Sequence, residues 1–308
     1  MSEDLVELFG MQRGGALLAS GQEASRLLRY SAGAFSALPA VGPAPIQIED
    51  LALVEDGLYA VGPSGVARFT SAEGWTLARY AELPGQLNSL RTIVRSEQGL
   101  FIGGGTCAYR APILVRRQGQ WVDDTPALAK ANCVRLRAVG DSTVAAVAGE
   151  VLLERGAGGW ARVEAPTPRV ADFWGDAEGA LVVVGDGAKV HHRQQGRWRT
   201  HKLFPQAEAF FVDGLAADDL FAVGRTRKEV YAAHFDGSAW RDLFTDLPFA
   251  FRLILGLVAT GPGEALAFGS KGTCLRLTPA GAQPRSPPTK SMISCGRRIA
   301  AAPLEAGG

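Results

Sequence analysis

The chain has 308 residues, of which 47% are hydrophobic and 20% are charged. Its 32 basic and 31 acidic side chains leave a formal net charge of +1, so no global field attracts nucleic acid or an anionic membrane, and neither is a predicted partner. The hydrophobic fraction supports a full core and excludes wholesale disorder, while no apolar run approaches the ~18 residues that span a bilayer.

The first five residues are acidic where a signal peptide would be basic, and no apolar segment follows them. If Met1 is the native start, a cytoplasmic location is expected. The abundance of alanine, glycine and arginine favours a bacterial source with a GC-rich genome.

A repeat of about forty residues runs along the chain, a period typical of propeller blades. Its clearest copy holds two β-branched and aromatic runs, residues 219–224 and 230–235, and then a glycine turn before Trp240. The same order of features recurs at residues 58–75 and 181–198. The tryptophans that end the copies are Trp75, Trp121, Trp160, Trp198 and Trp240, spaced 46, 39, 38 and 42 residues apart.

Extending this spacing predicts seven copies, with Phe35 in the tryptophan's place in the first and Gly281 marking the last. Each copy holds four short strands, which in the sixth are residues 209–216, 219–224, 230–235 and 240–244. One such sheet cannot bury both faces alone, whereas radially stacked sheets cover one another. The predicted fold is therefore all-β: a seven-bladed β-propeller of four-stranded antiparallel blades, with the tryptophans in the core between blades.

Residues 1–308 are predicted to form a single propeller domain, because no helical pattern interrupts the repeat. The blades lie at about 5–40, 46–83, 90–128, 133–166, 169–205, 209–248 and 251–285. Residues 6–9 supply the innermost strand of the first blade, which leaves residues 291–302 as an extra strand. We expect it to pair across the closing seam, since an unpaired edge invites aggregation.

These residues resemble those of bacterial repeat β-propellers, the WD40-like, YVTN and BNR-like repeat proteins. The resemblance is carried by residues 219–224, by the strand ending in His-Phe-Asp-Gly at 234–237 and by Trp240, and it covers about residues 5–285. It implies a fold and no shared activity, since propellers host enzymes, lectins and scaffolds alike. The Gly-His and Trp-Asp pairs of true WD40 repeats are absent, and Asp236 directly precedes Gly237, without the spacer of a sialidase-type Asp box.

Arginines recur near the start of the innermost strand in several blades. Radial symmetry would bring their guanidinium groups around one opening, and arginine is suited to bidentate binding of carboxylate or phosphate. Loop arginines and exposed aromatic residues, which often anchor interfaces, are expected on the same rim. The predicted partner-binding residues are Arg91, Arg135, Arg169, Arg252, Arg225, Arg227, Tyr109, Phe249 and Phe251. The alternative is that the charges only solvate strand ends and that the aromatic residues belong to the core.

The four cysteines form a second pattern. Cys107 and Cys274 begin equivalent third strands, and Cys133 and Cys295 begin the inner strands that follow them. Cys107–Cys133 and Cys274–Cys295 are therefore candidate disulfides, each contributing roughly 3 kcal/mol, and they would favour an oxidising compartment. Four half-buried thiols are the alternative. Without a Cys-x-x-Cys motif or a nearby histidine, no zinc site is predicted.

The histidines and inward carboxylates give no clear catalytic arrangement. His191 and His192 are adjacent on a strand, so they point to opposite faces and cannot chelate together. Asp172 and Asp213 lie on otherwise apolar inner strands, where they could bind a metal or act as acid and base. Ion pairing with the neighbouring arginines is the other interpretation.

The sequence therefore predicts a non-catalytic interaction propeller that binds another protein, with an acidic segment as the candidate ligand, through the arginine-bearing rim. A propeller for a small anionic or glycan ligand and a metal-assisted lyase or hydrolase remain alternatives. No catalytic residue, metal or cofactor is predicted.

Overall fold

The computed structural model shows a chain built almost entirely of short antiparallel strands. The backbone is described for residues 5–11, 15–20, 26–31, 34–37, 44–46, 48–85, 89–104, 112–126, 134–139, 143–148, 151–176, 178–185, 187, 189–203, 208–225, 230–243, 254–269 and 273–285. Within these ranges, side chains are not described for residues 5–37, 143–148, 208–210, 225, 254–255, 268–269, 273 and 284–285. The predicted closing strand, residues 291–302, lies outside the described residues.

The first four sheets follow one another along the chain. Sheet 1 comprises β1 (Leu5–Met11), β2 (Gly15–Ser20), β3 (Arg26–Ser31) and β4 (Ala34–Ala37). Sheet 2 comprises β5 (Asp50–Val54), β6 (Gly57–Gly62), β7 (Gly65–Thr70) and β8 (Gly74–Arg79). Sheet 3 comprises β9 (Leu90–Ser96), β10 (Gly99–Gly104), β11 (Ile113–Arg117) and β12 (Gln120–Asp123). Sheet 4 comprises β13 (Val134–Val139), β14 (Thr143–Ala148), β15 (Val151–Gly156) and β16 (Gly159–Val163).

Three further sheets repeat the arrangement. Sheet 5 comprises β17 (Val170–Gly175), β18 (Leu181–Gly185), β19 (Lys189–Gln194) and β20 (Arg197–Lys202). Sheet 6 comprises β21 (Glu208–Ala216), β22 (Asp219–Arg225), β23 (Val230–Phe235) and β24 (Trp240–Asp242). Sheet 7 comprises β25 (Ile254–Gly261), β26 (Glu264–Gly269), β27 (Thr273–Thr278) and β28 (Gly281–Arg285). In the described part of the chain the helical element is one short 3-10 turn, Tyr80–Glu82, and no helix there is long and apolar enough to cross a membrane.

Within every sheet the strand order follows the chain, and each strand pairs antiparallel with the next. The first strand of each sheet is innermost: β5 contacts β1 and β9, and contacts continue through β13, β17 and β21 to β25. Strand β25 also contacts β1. The prediction of an all-β chain of four-stranded antiparallel sheets is confirmed. Residues 6–9 lie in β1, the innermost strand of sheet 1, as expected.

Apolar side chains fill the spaces between neighbouring sheets. Phe101 of sheet 3 packs with Leu136 and Leu153 of sheet 4, and all three are buried. Val184 of sheet 5 packs in the same way with Phe235 of sheet 6. Strands buried on both faces need β-branched and aromatic residues at successive positions, which explains the apolar runs of the repeat.

Four of the five repeated tryptophans, Trp121, Trp160, Trp198 and Trp240, pack against the sheet that precedes their own, as predicted for the core between blades. Their aromatic rings join apolar clusters of both sheets, and the indole N–H of three of them reaches a hydrogen-bond acceptor there. The three bonds run from Trp160 to Asp124 Oδ2 (2.8 Å), from Trp198 to the Glu164 carbonyl (2.9 Å) and from Trp240 to His192 Nε2 (3.2 Å). Trp160, Trp198 and Trp240 therefore join consecutive sheets both by packing and by a polar contact.

The hairpin between β19 and β20 places a glutamine in the left-handed region, with φ of 50° at Gln195 and 76° at Gly196. Two positive φ values define a type I′ turn, in which asparagine is favoured at the first position. The left-handed conformation costs an ordinary residue about 1–2 kcal/mol, and asparagine adopts it more readily. We therefore expect Gln195→Asn to raise the free energy of unfolding by about 0.5 kcal/mol. Urea denaturation would measure it. Gln194→Asn, the same change at an extended position, is the control and should give no gain.

Candidate functional site

Polar side chains of the innermost strands bind the backbone of the next sheet along the chain. Asp50 Oδ2 accepts a hydrogen bond from the Ile93 N–H (2.5 Å), which joins sheet 2 to sheet 3. The Thr92 hydroxyl lies 3.4 Å from the carbonyl oxygen and 3.3 Å from the amide nitrogen of Leu136, which joins sheet 3 to sheet 4. A polar residue on these otherwise apolar strands thus satisfies backbone groups of its neighbour.

Polar contacts of the same kind join sheets 4 and 5, sheets 5 and 6, and sheets 6 and 7. Between sheets 4 and 5 the Arg135 guanidinium donates to the Ala171 carbonyl. From sheet 5 to sheet 6, and from sheet 6 to sheet 7, an aspartate accepts a backbone N–H at 3.0 Å: Asp172 from Val212, and Asp213 from Ala259. The inward carboxylates that sequence reasoning singled out as candidate acids therefore hold neighbouring sheets together.

Arg137 occupies the middle of this inner wall. Its Nη1 donates to Asp213 Oδ1 at 3.1 Å, and its Nη2 lies 3.8 Å from Asp172 Oδ1. The guanidinium carbon is 5.9 Å from the ring centroid of Phe173, and 12% of the side chain is exposed. One interpretation of the sequence paired the two aspartates with neighbouring rim arginines. Their observed partner, Arg137, was not predicted. Its alternation with Arg135 on the apolar strand β13 was the available signal.

Burial shifts the pKa values of this cluster: it raises those of Asp50 and Asp213 and lowers that of Arg137. It raises the pKa of Asp50 well above its ordinary value of 3.8, against the lowering effect of hydrogen bonds from the Ile93 and Leu51 N–H groups. Burial also raises the pKa of Asp213, opposed chiefly by Arg137. Burial lowers the pKa of Arg137 overall, although the negative charge of Asp213 opposes this shift. Among the described residues, no group of three metal-ligating side chains is placed to hold an ion.

Three of the predicted rim arginines are described, and the fold brings them to one rim. Arg91 and Arg135 are the second residues of β9 and β13, and Arg169 directly precedes β17. These three innermost strands are consecutive neighbours, so their starting ends lie side by side. Arg135 and Arg169 are exposed, whereas Arg91 is half-buried.

Arg135 and Arg91 differ in their electrostatic surroundings. The Arg135 side chain is accessible to solvent yet surrounded by protein, and burial together with the nearby Arg137 charge lowers its pKa. No carboxylate of the described residues forms a salt bridge with it. Arg91 donates from Nε to Ser89 Oγ (3.2 Å) and lies near Glu49, whose pKa is raised by burial and lowered by Arg91. Arg135 is thus the cation of this rim best placed to attract an anion.

The other predicted site residues fall at or beyond the edge of what is described. Arg225 is the last residue of β22, and nothing is described of its side chain. Cys274 is buried near the start of β27, a third strand as predicted. The residues that lie outside the described ranges are Arg227, Arg252, Tyr109, Phe249, Phe251, Cys107, Cys133 and Cys295. The two candidate disulfides therefore stay predictions.

The histidines lie in packing between strands and sheets. His191 and His192 point to opposite faces of sheet 5, as expected: His191 Nδ1 is 2.8 Å from Thr200 Oγ1, and the His192 ring packs 4.8 Å from that of Phe235 in sheet 6. Burial, with smaller effects of His201 and His191, lowers the pKa of His192 to about 4. His192 is consequently neutral near pH 7, and its Nε2 accepts the Trp240 N–H.

Comparison with solved structures identifies the fold, whereas no family model and no curated protein matches the chain. The designed protein Ika8 matches with 12% identity over 100% of this chain and 92% of its own, at a TM-score of 0.65. YCF48 from Cyanidioschyzon merolae matches with 12% identity over 91% and 99%, at 0.61. The WD40 repeats of RRP9 match with 10% identity over 83% and 84%, at 0.59. The fold-level resemblance to WD40-like β-propeller repeat proteins is therefore confirmed, and at these identities it concerns the fold alone.

Proposed function

We propose that residues 1–308 form one seven-bladed β-propeller that binds another protein, through an acidic segment, at the rim where the innermost strands begin. Strands β1 and β25 are in contact, which supports a ring of seven sheets. The proposal retains residues 291–302 as the strand that pairs across the seam. The proposed binding surface, called the arginine rim below, consists of Arg91, Arg135, Arg169 and Arg252 with the loops beside them.

The observation that carries the proposal is the environment of Arg135. Its guanidinium is accessible to solvent, has a second arginine as its charged neighbour, and forms no salt bridge with a carboxylate of the described chain. A partly desolvated cation without a counter-ion is stabilised when an anion binds, and arginine binds carboxylates in a fixed bidentate geometry. The exposed Arg169 on the next innermost strand extends the same cationic surface.

Two features of the chain favour a protein ligand over catalysis. The inward carboxylates Asp172 and Asp213 are already engaged by Arg137 and by backbone N–H groups of the next sheet, so neither is available as a water-activating base. A structure of YCF48 bound to D1 peptide also matches this chain, with 13% identity over 92% of this chain and 81% of its own and a TM-score of 0.51. That propeller binds a peptide, which supports peptide binding by the same fold here.

The experiment is a pull-down with the purified chain, followed by affinity measurement with the purified partner. The rim variant Arg135→Gln/Arg169→Gln removes two charges and retains side-chain hydrogen-bond donors. We expect it to weaken partner binding at least tenfold, and we expect wild-type binding to weaken as salt is raised. The matched control, Arg79→Gln/Arg162→Gln, removes two exposed arginines from the outermost strands β8 and β16 and should stay within twofold of wild type.

Equal partner affinity in the rim variant and the control would contradict this proposal. If no protein is recovered, titration of citrate by calorimetry tests the rim as a small-anion site. If the wild type binds citrate and the rim variant does not, the arginine rim is a site for a small anionic ligand and not for a protein.

A further inference from the structure

The outermost strand of sheet 5, β20, carries a row of cations that form no salt bridge with any described carboxylate. Arg197, Arg199 and Lys202 are exposed along it, and Lys189 of β19 lies directly opposite Lys202. No carboxylate in the described part of the chain forms a salt bridge with any of these four side chains. We call the four residues the basic edge.

The other described outer edges differ from it. Strands β8 and β16 each carry a single arginine, Arg79 and Arg162. On β24 the charge of Arg241 is neutralised by Asp236, with Nη2 and Oδ2 2.7 Å apart. A general need to keep propeller edges soluble therefore does not account for the concentration of charge on β20.

The concentration of charge has a physical cost. Like charges directly opposite each other on a sheet are destabilising, which applies to Lys189 and Lys202. The positive potential also reaches the nearby histidines: burial lowers the pKa of His191 with a further effect of Lys189, and burial lowers that of His201 with a further effect of Arg199. An anionic ligand on this edge would reduce the repulsion between Lys189 and Lys202, and it would oppose the lowering of the histidine pKa values by the nearby cations.

The backbone of β20 offers a second recognition element. Strand β20 is the last strand of its sheet, so one side of it has no partner strand. Because the β19–β20 turn is a two-residue type I′ hairpin, the flanking pair Gln194 and Arg197 is hydrogen-bonded, and pairs alternate from there. The N–H and C=O groups of Thr200 and Lys202 consequently point to the open edge, where no described residue hydrogen-bonds them.

We propose that the basic edge binds an extended acidic segment of a partner protein, which adds to sheet 5 as a fifth strand. The open backbone groups pair with the backbone of the segment, and the cations pair with its carboxylates. Arg197 and Arg199 lie on one face of the sheet and Lys202 with Lys189 on the other, so the segment carries acidic side chains on both of its faces. Nucleic acid could pair with the cations, but it has no peptide backbone to hydrogen-bond with the open edge of β20. This site is separate from the arginine rim.

The test uses the full chain, labelled with ¹⁵N, and an eight-residue probe in which pairs of glutamates alternate with pairs of valines, so that each face of the extended probe carries glutamate. At low salt and millimolar probe, we expect amide shifts at Thr200 and Lys202. The variant Arg197→Gln/Arg199→Gln should weaken binding at least fivefold, while Arg79→Gln/Arg162→Gln should leave it unchanged. A lysine–valine probe should not bind, and a glutamate–valine probe N-methylated at alternate residues should lose at least fivefold, because it lacks the donors of the ladder.

Three results would overturn the proposal: no shifts at β20 with the acidic probe, equal binding of the N-methylated probe, or tighter binding of a twelve-residue oligothymidylate. The last would assign the edge to nucleic acid. The rim variant Arg135→Gln/Arg169→Gln should bind the probe at β20 like wild type. The failure of one site can therefore be told from the failure of the other.

Discussion

Replacing Arg137 with methionine is expected to lower the free energy of unfolding at pH 7 by about 3–5 kcal/mol, the usual cost of leaving a buried charge without its partner. The change keeps most of the side-chain volume, so packing against Phe173 is largely preserved. Asp172 and Asp213, however, remain in the inner wall without their cation. Urea denaturation followed by tryptophan fluorescence measures the loss.

Two further variants make the Arg137 result specific. Adding Asp172→Asn and Asp213→Asn to Arg137→Met should recover most of the loss, because the amide oxygens still accept the N–H groups of the next sheet. Arg95→Met removes an exposed ion pair with Glu55, 3.1 Å long, and should cost less than about 1 kcal/mol. A loss below about 1 kcal/mol in Arg137→Met, or no recovery in the triple variant, would refute the role assigned to this arginine.

The Arg137→Met deficit should also shrink as pH falls. Burial already raises the pKa of Asp213 in the folded protein, so its ionised form reduces stability increasingly as pH rises above the ordinary value of 3.8. A protonated carboxyl needs no cation. Repeating the denaturation at pH 7 and pH 5 should therefore give the smaller difference between wild type and variant at pH 5.

The second large effect is an acid-induced loss of stability that depends on His192. Its pKa is about 4 in the folded protein and about 6.5 when unfolded, so folding disfavours the protonated ring. The stability is fully present above pH 6.5 and is lost as pH falls towards 4. At about 1.4 kcal/mol per pH unit, the total is about 3 kcal/mol.

His192→Phe should remove this pH dependence. At pH 7 the variant should be less stable than wild type by about 1–3 kcal/mol, because the partly buried Trp240 N–H loses its acceptor. At pH 4 the difference in the free energy of unfolding should become smaller or change sign, since the variant has no imidazole to protonate. His201→Phe, at a half-buried position, is the control and should change the pH profile less. Parallel profiles for wild type and His192→Phe would show that His192 is not the titrating group.

Much of the fold was predictable because it repeats. The strands of sheet 6 were predicted to within two residues, because aspartate and glycine mark several of the strand ends: β22 begins at Asp219, and Asp236 and Gly237 follow β23. Trp121, Trp160, Trp198 and Trp240 were assigned correctly to the space between sheets. Repetition makes such inferences robust, because one packing solution must serve every copy.

The candidate site was less predictable because it depends on side chains from distant repeats. Arg91, Arg135 and Arg169 were found from their equivalent positions. Arg137 was missed because its carboxylate partners lie 35 and 76 residues further along the chain, and no local pattern marks such a contact. The basic edge on β20 was also missed, because whether its cations form salt bridges depends on contacts with distant residues, which no local pattern marks.

The class of fold, most strand positions and the location of Arg91, Arg135 and Arg169 at the starts of innermost strands could be predicted from the sequence alone. All three follow from local alternation, turn residues and period, which need no knowledge of distant contacts. The tertiary structure decided what each polar residue does. It placed Asp172 and Asp213 against Arg137 and gave Arg135 no salt bridge with a described carboxylate, because burial and the approach of separate sheets determine which charges are neutralised.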